Sequence, residues 1–154
     1  AILQLGATTV SYDMEHEENE KFPTEHITSE LICSILQQFI GDIEQVPPTY
    51  SAVKVNGDRA CDLCRAGEEV KLRSKNVHVE EIEVTDFDAE KMQLSIRVVC
   101  GKGTYIRALA RDLGRALGSG AYLTALRRTR VGDFTVDKCL DYEHIKEWLV
   151  QTEK

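Results

Sequence analysis

Met92 to Leu117 reads as a strand, a glycine turn and a helix in unbroken succession, and this succession constrains the fold more than any other feature. Met92, Leu94, Ile96, Val98 and Cys100 keep a period of two, as a strand with one buried face does. Gly101 and Gly103 interrupt that period. Ile106, Leu109, Ala110, Leu113 and Leu117 then fall on one stripe at about 3.6 residues per turn. An apolar strand face and an apolar helix stripe this close in the chain must share a core, which selects a sheet with helices packed on it over a helix bundle.

The rest of the chain fits the same class, α+β with a mixed, mainly antiparallel sheet flanked by helices. Ala1 to Thr9 alternates as a half-buried strand. Met14 to Pro23 holds Glu15, Glu17, Glu18 and Glu20 without an apolar period and is expected to be an exposed loop. Thr28 is a candidate N-cap for a helix over 29–40, with Glu30 in its first turn, Leu31, Ile32, Ile35, Leu36, Phe39 and Ile40 at helical spacing, and Gly41 as its end. Pro47-Pro48 breaks regular structure, and Asn56-Gly57 marks a turn. Ser51 to Arg73 is polar and reads as an excursion from the core. Val77 and Val79 share a face that Ile82 and Val84 continue with reversed parity, so a strand over 77–85 with a bulge near Glu80-Glu81 is expected, paired as a hairpin with the strand over 92–100. Helices are expected over 104–117 and 142–150.

Charge is distributed unevenly. The chain of 154 residues carries −7, yet Arg97 to Arg130 holds eight basic residues against Asp112 alone, a balance of +7, while residues 1–46 hold nine acids against Lys21. Such polarity concerns partners and points to an anionic one. No apolar run reaches the roughly 20 residues of a membrane span, and no charged-apolar-small pattern at the N-terminus suggests a signal peptide, so a cytoplasmic protein is expected. The chain opens without Met in what reads as the middle of a strand, as an excised piece of a longer protein would.

Five cysteines do not suggest a disulfide framework. Cys61-Asp62-Leu63-Cys64 has the spacing of half a zinc site, but no second pair follows, and the pattern equally describes two thiols on one helical turn. His16, His26, His78 and His144 are scattered. No metal site is expected from these spacings.

Arg107, Arg111 and Arg115 recur at every fourth residue, centred roughly 140° from the apolar stripe of their helix. They form either a solvated basic face or a phosphate-binding one. Tyr105, in the glycine-flanked turn before Arg107, either stacks on a base or packs into the core. Leu126-Arg127-Arg128-Thr129-Arg130 is either a phosphate-contacting segment or an edge whose charges discourage aggregation. The residues alone leave each pair open.

Gly103-Thr104-Tyr105-Ile106-Arg107 with Asp112-Leu113-Gly114, then Gly120-Ala121-Tyr122-Leu123 and Leu126-Arg127-Arg128-Thr129, preceded by Gln45-Val46-Pro47-Pro48-Thr49-Tyr50-Ser51-Ala52-Val53-Lys54, resembles the bacterial TruB-type tRNA pseudouridine-55 synthases. The resemblance implies a pseudouridine-synthase fold, of which residues 1–154 would be part of one catalytic domain, with 47–73 as a thumb-like RNA-binding insertion. It implies an isomerase that flips the T-loop uridine out of tRNA and attacks it with an aspartate of a Gly-x-Leu-Asp-Pro motif, without a cofactor. That motif is not in this sequence, and Asp13 is among the aspartates that lack its neighbours.

By the same resemblance, Arg107 would pair with the missing aspartate, Tyr105 would pack against the flipped base, and Leu126 would line the pocket. Lys54, Arg59, Arg65 and Arg73 of the insertion, with Lys102, Arg111, Arg127 and Arg128, would contact the RNA of the T-arm stem-loop. Alone, the chain would make no pseudouridine. Two alternatives stay open: a guide-RNA-dependent synthase of the dyskerin type, which shares the Gly-Thr-Tyr-Ile-Arg run, and a non-catalytic RNA-binding module.

Overall fold

The computed structural model describes residues 1–145 and 149–150. In chain order its elements are β1 (Ile2–Leu5), β2 (Ala7–Thr9), β3 (Glu18–Lys21), α1 (Ser29–Leu36), β4 (Gly41–Gln45), β5 (Lys54–Val55), β6 (Asp58–Arg59), α2 (Ala60–Arg65), β7 (Lys75–Asp88), β8 (Gln93–Cys100), α3 (Ile106–Ala116), β9 (Ala121–Ala125), β10 (Arg130–Val131) and β11 (Phe134–Thr135).

Five strands form one sheet in the order β4-β7-β8-β1-β9, each pair antiparallel. α1 and α3 pack on it. Leu3, Leu5, Val79, Leu94, Ile96 and Leu123 from the sheet meet Ile32, Leu36, Leu109, Leu113 and Leu117 in a single cluster. Burying a Leu or Ile side chain stabilises the fold by about 2 kcal/mol, so the alternation of β8 and the stripe of α3 decide the architecture together. The opposite face carries charge, with Arg97 on β8 opposite Glu83 of β7 and 3.2 Å from Glu81. α3 lies close against β9 because residue 114 is glycine: a Cβ there would come within 2.4 Å of the Ala121 nitrogen.

The hairpin of β7 and β8 has the expected bulge at Val79/Glu81 and a second at Val84/Asp86, which turns Phe87 back toward the core side. Thr28 caps α1 as expected, its Oγ1 accepting from the Leu31 N–H. α1 itself stops at Leu36 and tightens into a 3-10 turn over Gln37–Phe39 before Gly41 starts β4. Asn56 and Gly57 adopt positive φ at the tip of the β5–β6 hairpin, as a two-residue turn requires.

Two expectations need correction, and two helices differ in extent. The first strand breaks at Gly6 into β1, in the main sheet, and β2, which leaves it. Residues 14–23 are not all loop: β3 pairs with β2 although all four of its residues are exposed. Backbone pairing and a hydrogen bond from the Thr8 hydroxyl to Asn19 Oδ1 at 3.1 Å hold this strand to its partner, and with no buried face no side-chain period announces it. The helix expected over 104–117 runs Ile106–Ala116. Of the helix expected over 142–150, Tyr142–His144 is a 3-10 turn, residues 145 and 149–150 are helical, and residues 146–148 lie outside the described residues.

Gln45 pairs with Lys75 in the last rung between β4 and β7. The chain therefore leaves the sheet after Gln45 and returns at Lys75, and everything between, the β5–β6 hairpin and α2 included, lies outside the main sheet. Among the described residues no helix is long and apolar enough to cross a membrane.

Candidate functional site

The Gln45–Lys75 rung meets the turn before α3. Gln45, only 1 % exposed, accepts the Tyr105 N–H on Oε1 at 2.8 Å and donates from Nε2 to the Tyr105 carbonyl at 3.1 Å. Those two bonds fix Tyr105 as an added β-partner would. The Lys75 ammonium sits 4.7 Å from the centre of the Tyr105 ring, a cation on an aromatic face. Tyr105 is thus held by its backbone, with its side chain only half-buried.

One residue pair further, Arg107 projects from the first turn of α3 into the space between two loops. Its Nη1 donates to the Ser11 carbonyl at 3.0 Å and its Nη2 to the Tyr50 carbonyl at 2.7 Å. Nη1 also lies 3.4 Å from Asp13 Oδ2, with the Arg107 side chain 21 % exposed. A guanidinium has five N–H donors. The Nε–H and one Nη2–H have no partner among the described residues, so an edge of the fork remains open beside a fixed cation. Asp13 has little left to offer: Oδ1 accepts from the Ser11 hydroxyl at 2.6 Å and the Glu15 N–H at 3.0 Å, and Oδ2 faces Arg107.

The arginine face of α3 is not the open cationic surface that its spacing allows. Arg111 is 6 % exposed. Its Nε and Nη2 fork onto both carboxylate oxygens of Asp112 at 2.8 and 3.1 Å, and Nη2 also donates to the Val46 carbonyl at 2.9 Å. Burial opposes the Arg111 charge, but the hydrogen bonds and charge of Asp112 outweigh it and raise the guanidinium pKa above its usual value. Arg107 and Arg111 therefore anchor the loops at residues 11–13 and 46–50 to the helix. Arg115 keeps an exposed side chain, 4.0 Å from Asp112.

The other residues singled out from the sequence are spread along the surface. Lys54, Arg59, Arg65 and Arg73 are exposed on the 46–74 excursion, Arg65 paired to Glu15 at 3.0 Å and Arg59 lying 3.8 Å from Asp62. Lys102 is exposed in the glycine turn. Leu126, Arg127 and Arg128 are exposed in the irregular stretch after β9, with Leu126 at 58 %. The structure brings Arg107 together with Ser11, Asp13 and Tyr50, and, two residues before it, Tyr105 together with Gln45 and Lys75. No local pattern assigns these places to Gln45, Lys75, Ser11 or Asp13, since each acts through partners far along the chain.

Two clefts of about 540 and 590 Å³ share Tyr12, Thr49, Arg111 and Arg115 in their walls. Neither is lined by Tyr105 or Arg107, so the pair lies outside both. Among the described residues no three His, Cys, Asp or Glu side chains gather as metal ligands, and Cys61 and Cys64 carry free thiols on α2.

Known proteins share this arrangement of sequence and fold. The family model for "TruB family pseudouridylate synthase (N terminal domain)" matches residues 1–106, and that for "tRNA pseudouridylate synthase B C-terminal domain" matches 107–154. The chain is 57 % identical over 153 residues to the tRNA pseudouridine synthase B of Phocaeicola vulgatus, covering 99 % of this chain and 64 % of the relative. It is 56 % identical to the same-named protein of Bacteroides thetaiotaomicron, of which it covers 65 %, and 44 % identical to that of Thermobifida fusca, of which it covers 52 %. It thus spans somewhat less than two thirds of the curated relatives it matches. Among solved structures, a Cbf5-Nop10-Gar1 complex matches 90 % of this chain and 31 % of the matched one, with a TM-score of 0.60 and 30 % identity. An H/ACA RNP bound to a substrate RNA containing 2'-deoxyuridine shares the fold, with a TM-score of 0.62 at 24 % identity, over 99 % of this chain and 34 % of the matched one. The fold is that of the pseudouridine synthases, and the chain belongs to the TruB family of pseudouridylate synthases.

Proposed function

We propose that this chain forms the Tyr105 and Arg107 side of the catalytic pocket of a cytoplasmic tRNA pseudouridine synthase, which isomerises uridine 55 in the T loop. The observation that carries the reading is the guanidinium of Arg107, immobilised by two backbone carbonyls and Asp13 while its Nε–H edge stays open. A carboxylate docked on that edge is held ionised and aimed, as nucleophilic attack on a base requires. That carboxylate is the aspartate of a Gly-x-Leu-Asp-Pro segment, which this sequence does not contain. Asp13 does not take its place, because it lacks the neighbours of that motif.

The flipped uracil packs against the Tyr105 ring, with Leu126 as a further wall of the pocket. Unstacking a base costs a few kcal/mol, which stacking and apolar contacts return. Lys54, Arg59, Arg65 and Arg73 on the thumb-like 47–73 insertion, with Lys102, Arg127 and Arg128, meet phosphates of the T arm. Arg111 serves the site from inside, by fixing the Val46 loop. No cofactor enters this scheme. The identity to relatives named tRNA pseudouridine synthase B favours the stand-alone enzyme over a guide-dependent one.

The test is pseudouridine formation in a T-arm hairpin, without added metal, guide RNA or partner protein. The 154-residue chain should be inactive, and the same chain joined to a Gly-x-Leu-Asp-Pro segment of a relative should be active. Activity in the chain alone would refute the reading.

A further inference from the structure

Arg107 is held by two loops that belong to no helix or sheet, residues 11–13 and 49–50, and a histidine links both from behind. Ser11 is fully buried. Its hydroxyl has one proton, which it donates to Asp13 Oδ1 at 2.6 Å, and His16 Nδ1 lies 3.0 Å from the same oxygen. With the Ser11 proton committed to a carboxylate, the remaining role of that oxygen is to accept, so Nδ1 must carry the hydrogen. The His16 ring also rests on the Tyr50 ring, centroids 4.8 Å apart and planes tilted by 57°. The carbonyls of Ser11 and Tyr50 are the two that fix the Arg107 guanidinium.

We infer that His16 is a positioning residue for the pseudouridine reaction: through the Ser11 hydroxyl and the Tyr50 ring it sets the two loops that aim the open edge of Arg107. This rests on the function proposed above, in which that edge receives the nucleophile. His16 makes no hydrogen bond to Arg107 among the described residues, and its effect passes through Ser11, Asp13 and Tyr50. The charged groups tied to its neighbours are Asp13, which accepts from Ser11 and the Glu15 N–H, Arg107, which faces Asp13, and the Arg65 paired to Glu15. None of them bonds the Nδ1 of His16, so the Ser11 contact alone fixes the tautomer.

The tautomer can be read directly on the 154-residue chain by long-range nitrogen–proton correlation of the His16 ring, at a pH where the ring is neutral. The expected result is hydrogen on Nδ1 and a bare Nε2, the reverse of the form that free histidine favours, with Ser11→Ala abolishing the preference. In the joined, active protein, His16→Ala should lower kcat about tenfold and leave KM for the hairpin within about twofold, since orientation is lost and binding is not. His16→Asn, whose Nδ2 amide can donate where Nδ1 does, should recover most of kcat. Hydrogen on Nε2, an unchanged kcat in His16→Ala, or His16→Asn no better than His16→Ala would each overturn the inference. A joined wild type that makes no pseudouridine would instead defeat the function proposed above, and the tautomer would still decide the Ser11 contact.

Discussion

Truncating Gln45 to alanine tests whether one buried amide holds the turn that presents Tyr105. The side chain is 1 % exposed and makes two hydrogen bonds to the Tyr105 backbone, 2.8 and 3.1 Å. The two losses are unequal. The Tyr105 carbonyl keeps the Leu109 N–H at 3.0 Å, whereas its own N–H is left without a partner. One spare hydrogen bond is worth about 1 kcal/mol, and an orphaned buried donor costs about 1–3 kcal/mol, so Gln45→Ala should destabilise by about 2–4 kcal/mol. Gln45→Glu separates the terms: a carboxylate still accepts from the N–H but faces the carbonyl with an acceptor, and it is buried as a charge, so it should cost at least as much as alanine. Urea unfolding followed by circular dichroism gives the answer from the midpoint, provided the slope is unchanged. A loss below about 0.5 kcal/mol in Gln45→Ala, or Gln45→Glu as stable as the wild type, would refute the reasoning, since neither is compatible with a two-bond buried clip.

Arg127→Glu should weaken tRNA affinity and flatten its salt dependence, by about 0.9 in the slope of log affinity against log salt for each phosphate no longer neutralised, while leaving stability intact. Arg111→Glu should act through folding, because it strands Asp112 and the Val46 carbonyl; a loss of about 3 kcal/mol or more is expected in the same urea assay. Burial, then the hydrogen bond and charge of Glu18, raise the Tyr122 phenol pKa above the usual tyrosine value. A folded-state pKa raised in this way stabilises below the unfolded tyrosine value, about 10, and the benefit disappears as pH rises through the folded one, so the advantage of wild type over Tyr122→Phe should shrink in that range. Ultraviolet titration of tyrosinate should show the late-ionising phenol missing from the variant.

Much of the scaffold is written locally. Thr28 caps because a hydroxyl there meets the free N–H of Leu31, the β7 bulge shows as a parity change between Val79 and Ile82, and the α3 stripe follows from its own spacing. β3 is silent in the sequence because its four residues are all exposed and polar and so carry no apolar alternation. The site divides the same way. Tyr105 and Arg107 stand out by motif, but what holds them does not: Gln45 lies 60 residues from Tyr105, and Ser11 lies 96 from Arg107. The arginine spacing on α3 does not distinguish a solvated face from a pair of anchors, since the loop carbonyls that bury Arg111 and engage Arg107 belong to distant segments. Asp13 lacks the neighbours of a nucleophile motif, and the structure gives it a different place, as a partner of Arg107.

Arg107 orienting a carboxylate through a planar fork is the central claim, and the single-turnover rate of pseudouridine formation by Arg107→Lys, in the chain joined to a Gly-x-Leu-Asp-Pro segment, tests it most directly. A single ammonium cannot bond the Ser11 and Tyr50 carbonyls and still present an edge to a carboxylate, so the rate should fall on the order of 100-fold while hairpin binding changes little. Tyr105→Phe, which keeps the ring, should fall far less and serves as the internal control. A rate for Arg107→Lys within a few-fold of wild type would contradict the central claim.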